Sequence, residues 1–150
     1  MSFYNLRREE TNVKKTISLF MILGLTSLAF GQPEQTEFSS FWQNFKTAVI
    51  KNDKNAVARM VNYPFETYEM DRTIKTRTKV AFLKLYKDIF DNETDAKKCF
   101  AKAKPTKETA KRYSVGCPFR SDSSGEEPFV YKFVLTKTGW TFASWSNINE

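Results

Sequence analysis

The chain has 150 residues, of which 41% are hydrophobic and 15% aromatic, enough to pack the core of one domain. It contains no histidine, which excludes histidine-based triads, histidine metal sites and the commonest general base near neutral pH. Two cysteines cannot complete a structural zinc site, so we expect no metal and no cofactor.

The first 31 residues have the pattern of a secretory signal peptide. Residues 1–16 are polar and include four basic side chains, and residues 17–30 (ISLFMILGLTSLAF) form an uncharged apolar run. This run is shorter than the ~20 residues that span a bilayer, although an uncleaved anchor is the alternative. Ala29 and Gly31 are the small residues of a cleavage site, which predicts that the mature chain begins at Gln32.

Export has consequences for charge and for partners. Removing residues 1–31 changes the formal net charge from +7 to +5. A periplasmic or extracellular protein meets anionic envelope components rather than nucleic acid, and it keeps no membrane span after cleavage. Much of the positive charge lies between residues 97 and 112. This segment is either a binding site for an anion or an ordinary solvated surface.

After a short leader (residues 32–37), residues 38–65 predict two helices. Aromatic side chains followed by a valine recur at helical spacing over residues 38–49 and place one apolar stripe on the first helix, which we expect to begin near Glu37. Asp53 is positioned to cap the second helix, and Tyr63-Pro64 predicts its end.

The middle of the chain predicts one strand and one helix. Residues 65–76 alternate between apolar and polar side chains, which indicates a strand. Thr78 is a predicted cap for a third helix that extends to Phe90, with apolar residues at helical spacing. Residues 94–104 fit either a short helix or a loop.

The last third of the chain predicts strands. Residues 110–119 are predicted to form a strand, and residues 129–136 and 140–146 a hairpin whose turn lies at Lys137-Thr138-Gly139. Period-2 alternation predicts that Tyr131 and Phe133 share one face, opposite Val130 and Val134. On the last strand it places on one face Trp140, Phe142 and Ser144, and on the other Thr141, Ala143 and Trp145.

Cys99 and Cys117 are the only cysteines. In an oxidising compartment an even pair is more often bridged than free, so we predict one disulfide that closes a loop around the lysine-rich segment.

Several strings of core residues resemble the nuclear transport factor 2-like (cystatin-like, SnoaL-like) superfamily of small secreted bacterial domains. They are F-x-x-F-W-x-x-F-x-x-A-V over residues 38–49, Y-P-F at 63–65, F-L-x-x-Y-x-x-I-F at 82–90, and G-W at 139–140. The resemblance implies an α+β domain over residues 38–150, with N-terminal helices packed on a curved antiparallel sheet to form a cone whose mouth is often a ligand pocket. Sheet faces of this fold commonly pair into homodimers.

Two functions follow as hypotheses. The first is a non-catalytic binding module, which holds a small apolar ligand or a protein of the cell envelope. Its expected anchors at the mouth of the cone are Glu66, Tyr68, Tyr86, Arg112, Tyr113 and Trp140. The second is a small pocket enzyme that acts through carboxylates, for which the candidates are Glu66, Glu69 and Asp71. We expect binding rather than catalysis, because the Asp-His pair of enzymatic members has no counterpart in a chain without histidine.

Overall fold

The structure, a computed structural model, describes residues 33–69, 72–120 and 128–147. The predicted signal peptide and its cleavage site lie outside these residues. Among the helices described, none is both long enough and apolar enough to cross a membrane.

The first two helices form an angled pair at the start of the described chain. Helix α1 spans Pro33–Ile50 and therefore begins before the predicted start at Glu37. Proline suits the first position of a helix, because the amide groups of the first turn have no acceptor within the helix. Helix α2 spans Lys54–Arg59, and Asp53 caps it as predicted by accepting a hydrogen bond from the Ala56 amide at 2.9 Å. This helix ends at Arg59, not at the predicted Tyr63-Pro64.

Two further helices flank a wide turn. Helix α3 spans Lys79–Lys87, and the Thr78 hydroxyl caps it at 3.2 Å from the Ala81 amide, as predicted. The chain continues as a π-helical turn over Asp88–Asn92. Helix α4, Ala96–Lys102, settles the ambiguous segment as a short helix.

The described residues contain six strands, β1 to β6 in chain order, which form one mixed sheet in the order β2-β1-β6-β5-β4-β3. Neighbouring strands are antiparallel except β1 and β6, which run parallel, so the predicted α+β class is confirmed but the sheet is not wholly antiparallel. The strand bounds are β1 Val61–Glu69, β2 Arg72–Thr76, β3 Thr106–Thr109, β4 Arg112–Cys117, β5 Phe129–Thr136 and β6 Gly139–Asn147.

Pro64 explains why the predicted boundary between helix and strand was wrong. It lies inside β1, at a place where the register between β1 and β6 shifts between Val61 and Glu66. A proline has no amide hydrogen to donate, and such an interruption of the ladder accommodates it. The single strand predicted over residues 65–76 is in fact the hairpin of β1 and β2.

A second irregularity corrects the alternation predicted for β6. Phe133 pairs with Phe142, but the preceding Lys132 pairs with Ser144, so Ala143 is an extra residue in β6. Trp145 then pairs with Tyr131 and shares its face, which we call the inner face, together with Trp140 and Phe142. Ser144 turns to the opposite, outer face.

The core lies between the helices and the inner face. Phe45 of α1 is fully buried, with its ring centroid 5.1 Å from both Phe133 of β5 and Phe142 of β6. Phe90 from the π-helical turn and Phe100 from α4 also pack around Phe45. Their ring centroids lie 6.3 and 6.1 Å from that of Phe45. Tyr131 and Phe133 are fully buried on the inner face, as the alternation of β5 predicted.

The structure brings Cys99 of α4 and Cys117 of β4 together as a disulfide, with Cα atoms 5.8 Å apart. This supports the predicted pairing. The bond attaches α4 to one end of β4.

Candidate functional site

Tyr113 and Trp140, two of the six predicted anchors, lie together beside the first turns of α1. The Tyr113 ring stacks on Phe38, with centroids 3.7 Å apart and planes within 7° of parallel. The edge of Trp140 meets both, with centroids 4.8 Å from Phe38 and 5.3 Å from Tyr113. We call Phe38, Tyr113 and Trp140 the aromatic triad.

The triad contains two buried hydrogen-bond donors, the Tyr113 hydroxyl and Trp140 Nε1. Tyr113 is 6% exposed and Trp140 is 7% exposed, yet neither donor has a hydrogen-bond partner among the residues described. A buried donor left unpaired costs ~1–3 kcal/mol. A bound molecule that places a hydrogen-bond acceptor here would therefore remove this cost.

Glu66 and Tyr68 form a second polar group, but on the outer face. Side chains of β1 alternate between the two faces of the sheet, and Phe65 faces the core. Glu66 and Tyr68 lie one and three residues further along, so both face away from the helices. Glu66 pairs with Lys75 of β2 at 3.0 Å, and the Tyr68 hydroxyl lies 3.5 Å from Glu66 Oε2. Of the other candidate carboxylates, the Glu69 side chain and Asp71 lie outside the described residues.

Tyr86 lies on α3, and none of its ring contacts involves the triad. Its ring packs 4.7 Å from Phe90, and the Lys54 ammonium group lies 5.3 Å from the ring centroid. Burial raises the pKa of Tyr86 to about 12, and the negative charges of Asp91 and Asp53 act in the same direction. Within the described ranges, its buried hydroxyl has no hydrogen-bond partner.

Arg112 is the remaining predicted anchor, and it also lies on the outer face. It precedes the inward-facing Tyr113 on β4, and its Nε is 3.9 Å from Glu108 Oε2 in an exposed pair. The six residues thus occupy four places: Tyr113 with Trp140, Glu66 with Tyr68, and Tyr86 and Arg112 each alone.

A buried polar cluster at the π-helical turn was not predicted. The fully buried Tyr131 hydroxyl donates to the Ile89 carbonyl oxygen at 2.6 Å and lies 2.6 Å from the Thr94 hydroxyl. Burial raises the pKa of Tyr131, while its hydrogen bond with the Thr94 hydroxyl lowers it. Alternation predicted that Tyr131 shares a face with Phe133, but no sequence signal marked Ile89 or Thr94 as its partners.

A strip of lysines follows the edge of the sheet. Exposed side chains of α4, the loop after it, β3 and the following turn contribute, and we call them the basic edge: Lys98, Lys102, Lys104, Lys107 and Lys111. No ion pair is found for any of these five among the described residues, whereas the flanking Lys97 and Arg112 are each paired with a carboxylate.

Within residues 33–69, 72–120 and 128–147, no three His, Cys, Asp or Glu side chains come together in a way that could hold a metal ion.

The comparisons with known proteins concern the fold. No family model and no curated protein matches the chain. Among solved structures, a ketosteroid isomerase-like protein from Erwinia carotovora atroseptica is 13% identical, covering 77% of this chain and 95% of its own, with a TM-score of 0.47. An NTF2-like protein with a cystatin-like fold from Novosphingobium aromaticivorans is 14% identical, covering 76% and 80%, with a TM-score of 0.42.

An NTF2-like protein of unknown function from Silicibacter pomeroyi is 13% identical and covers 75% of this chain and 92% of its own, with a TM-score of 0.40. The solved structures that this chain resembles thus include proteins described as NTF2-like and cystatin-like. At these identities and TM-scores they assign no activity to it.

Proposed function

We propose that this chain is a non-catalytic binding domain, exported to the cell envelope, which binds a partner protein on its surface. The observation that carries the proposal is the filling of the space between α1 and the inner face by aromatic rings. In a fold that often keeps this space open as a pocket, a filled interior leaves the surface as the place for recognition.

The filling is continuous from α1 to the sheet. Trp42 is 4% exposed and meets Phe100 edge-on at 5.1 Å and Phe133 at 5.7 Å. Phe142 in turn lies 4.8 Å from Phe65, the buried residue of β1. These rings occupy the positions from which a ligand inside the cone would be contacted.

The enzymatic alternative has less support. Of its three candidate carboxylates, Glu66 is the one whose side chain is described, and this side chain is paired with Lys75 on the outer face. A carboxylate that pairs with a lysine on the outer face is not positioned to act on a molecule held between the helices and the sheet.

A second candidate function rests on the aromatic triad. Its two unpaired donors, the Tyr113 hydroxyl and Trp140 Nε1, favour a small ligand that has an aromatic or apolar body and a hydrogen-bond acceptor. Such a ligand would bind at the start of α1 rather than inside the cone.

Apolar probes test whether the interior is filled. We expect benzene and indole to leave the thermal midpoint of the wild-type protein unchanged, because a closed core has no room for them. Phe45→Ala should open an apolar cavity and gain stability from benzene, whereas Phe41→Ala, which truncates a half-buried ring, should not. Stabilisation of the wild type by either probe would show an open pocket and overturn the proposal.

Native mass spectrometry of protein purified from its own envelope tests the partner and the export together. We expect a complex with a second protein, no small molecule retained, and a chain that begins at Gln32. A chain that begins at Met1 would contradict export, and a retained small molecule would favour the triad as the binding site.

A further inference from the structure

The positive charge of this protein is concentrated in one short segment. Residues 97–112 contain seven basic side chains and one acidic side chain, so they hold a formal charge of +6 out of the +7 of the whole chain. The remaining residues are nearly balanced. The basic edge is therefore a local feature, and it favours an anionic partner.

The same segment contains a strand at the edge of the sheet. Among the residues that the structure describes, β3 pairs with β4 on one side and with no strand on the other, and all four of its residues are exposed. A strand at the end of a sheet offers backbone amide and carbonyl groups to an incoming strand.

The two features lie along one line. The disulfide holds α4, which carries Lys98 and Lys102, beside the Cys117 end of β4. From there the chain passes Lys104 and enters β3, where Thr106 pairs with Ser114 and Lys107 with Tyr113. Lys111 follows in the turn to β4, so lysines lie before, within and after β3.

We infer that the basic edge binds an extended, acidic peptide segment of the partner protein, which adds to the sheet as a strand beside β3. The inference rests on the proposed function and names the site and the chemistry of the partner. Backbone hydrogen bonds to Thr106–Thr109 would hold the segment, and its carboxylates would pair with Lys104, Lys107 and Lys111.

The lysines also restrict which strand can pair with β3. They oppose pairing between two copies of β3, because like charges would meet across the new ladder. A strand that carries carboxylates would instead be attracted by them. An anionic polysaccharide or membrane would use the charges alone and leave the open backbone groups of β3 unexplained, which is why we favour a peptide.

The test uses the full-length protein and two fluorescent eight-residue peptides, one alternating glutamate with threonine and the other alternating lysine with threonine. We expect the glutamate peptide to bind, more weakly as salt rises, and the lysine peptide not to bind. Lys104→Glu/Lys107→Glu should weaken binding by about tenfold or more, because each substitution removes an ion pair with a peptide carboxylate and adds a repulsion in its place. The matched control, Lys84→Glu/Lys87→Glu on α3, should stay within about twofold.

Amide hydrogen exchange distinguishes strand addition from simple charge attraction. The glutamate peptide should slow exchange at the outward-facing amides of Thr106–Thr109. Binding without this protection would show a general polyanion surface and overturn the inference. Equal effects of the two double variants would place the site elsewhere. If the glutamate peptide does not bind while native mass spectrometry still shows a protein complex, the inference fails and the proposed function stands.

Discussion

The hydroxyl of Tyr131 donates a hydrogen bond to the carbonyl oxygen of Ile89, 2.6 Å away, across the interface between β5 and the π-helical turn. The amide of Glu93, which would reach Ile89 in a regular α-helix, donates instead to Asp88 at 3.4 Å. Tyr131 therefore satisfies a buried carbonyl that the wide turn has left without its usual donor.

This relationship predicts that Tyr131→Phe destabilises the protein. The substitution keeps the ring but leaves the Ile89 carbonyl without the Tyr131 donor, so the free energy of unfolding should fall by about 1–3 kcal/mol. Urea denaturation measures it. Tyr68→Phe is the control, because its half-buried hydroxyl has a single 3.5 Å contact, and its loss should stay below about 0.5 kcal/mol. Equal losses in the two variants would contradict the assigned role of Tyr131.

The fold was largely predictable because its signals are local. The caps at Asp53 and Thr78 and the alternation of β5 each depend on residues close together in the chain. The errors arose where pairing decides the outcome. Pro64 looks like a helix terminator, and only the shifted register between β1 and β6 makes room for it in a strand. The extra residue Ala143 likewise has no signature in the sequence.

The candidate site was less predictable for the same reason. Tyr113 and Trp140 come from β4 and β6, which β5 separates, and their contact depends on the whole sheet being assembled. Glu66 and Tyr68 were expected at the mouth of the cone, but alternation from the core residue Phe65 directs them to the outer face. The composition of a strand does not say which of its faces meets the helices.

The disulfide should contribute measurably to stability. Replacing both Cys99 and Cys117 with alanine removes the closure of an 18-residue loop, which should lower the free energy of unfolding by roughly 3 kcal/mol. A reducing agent should lower the stability of the wild type by a similar amount and leave the double variant unchanged. Two free thiols in the wild type, found by mass spectrometry under non-reducing conditions, would refute the bond.

Tyr86 should make the protein sensitive to alkali. Because burial raises its pKa from 10.0 to about 12, the unfolded chain loses this proton at lower pH than the folded protein does. The resulting stability is fully present below about pH 10 and is lost as the pH rises through about 12. In a tyrosinate absorbance titration, Tyr86→Phe should remove one group that ionises near pH 12. An unchanged late phase in this variant would show that Tyr86 ionises normally.

The Tyr113 hydroxyl should behave in the opposite way to that of Tyr131. Both side chains are buried, but the Tyr113 hydroxyl has no hydrogen-bond partner in the described part of the chain, so Tyr113→Phe removes a polar group that is left unsatisfied there. We expect the free energy of unfolding to stay the same or to rise by about 1–2 kcal/mol, because the variant no longer buries an unpaired donor. Urea denaturation of Tyr113→Phe beside Tyr131→Phe makes the comparison with the same chemical change at both positions.

If the Tyr113 hydroxyl binds a ligand at the triad, Tyr113→Phe should also lose the stabilisation that an aromatic ligand with an acceptor gives the wild type. A large loss of stability in Tyr113→Phe without any ligand would instead show that its hydroxyl has a partner within the fold.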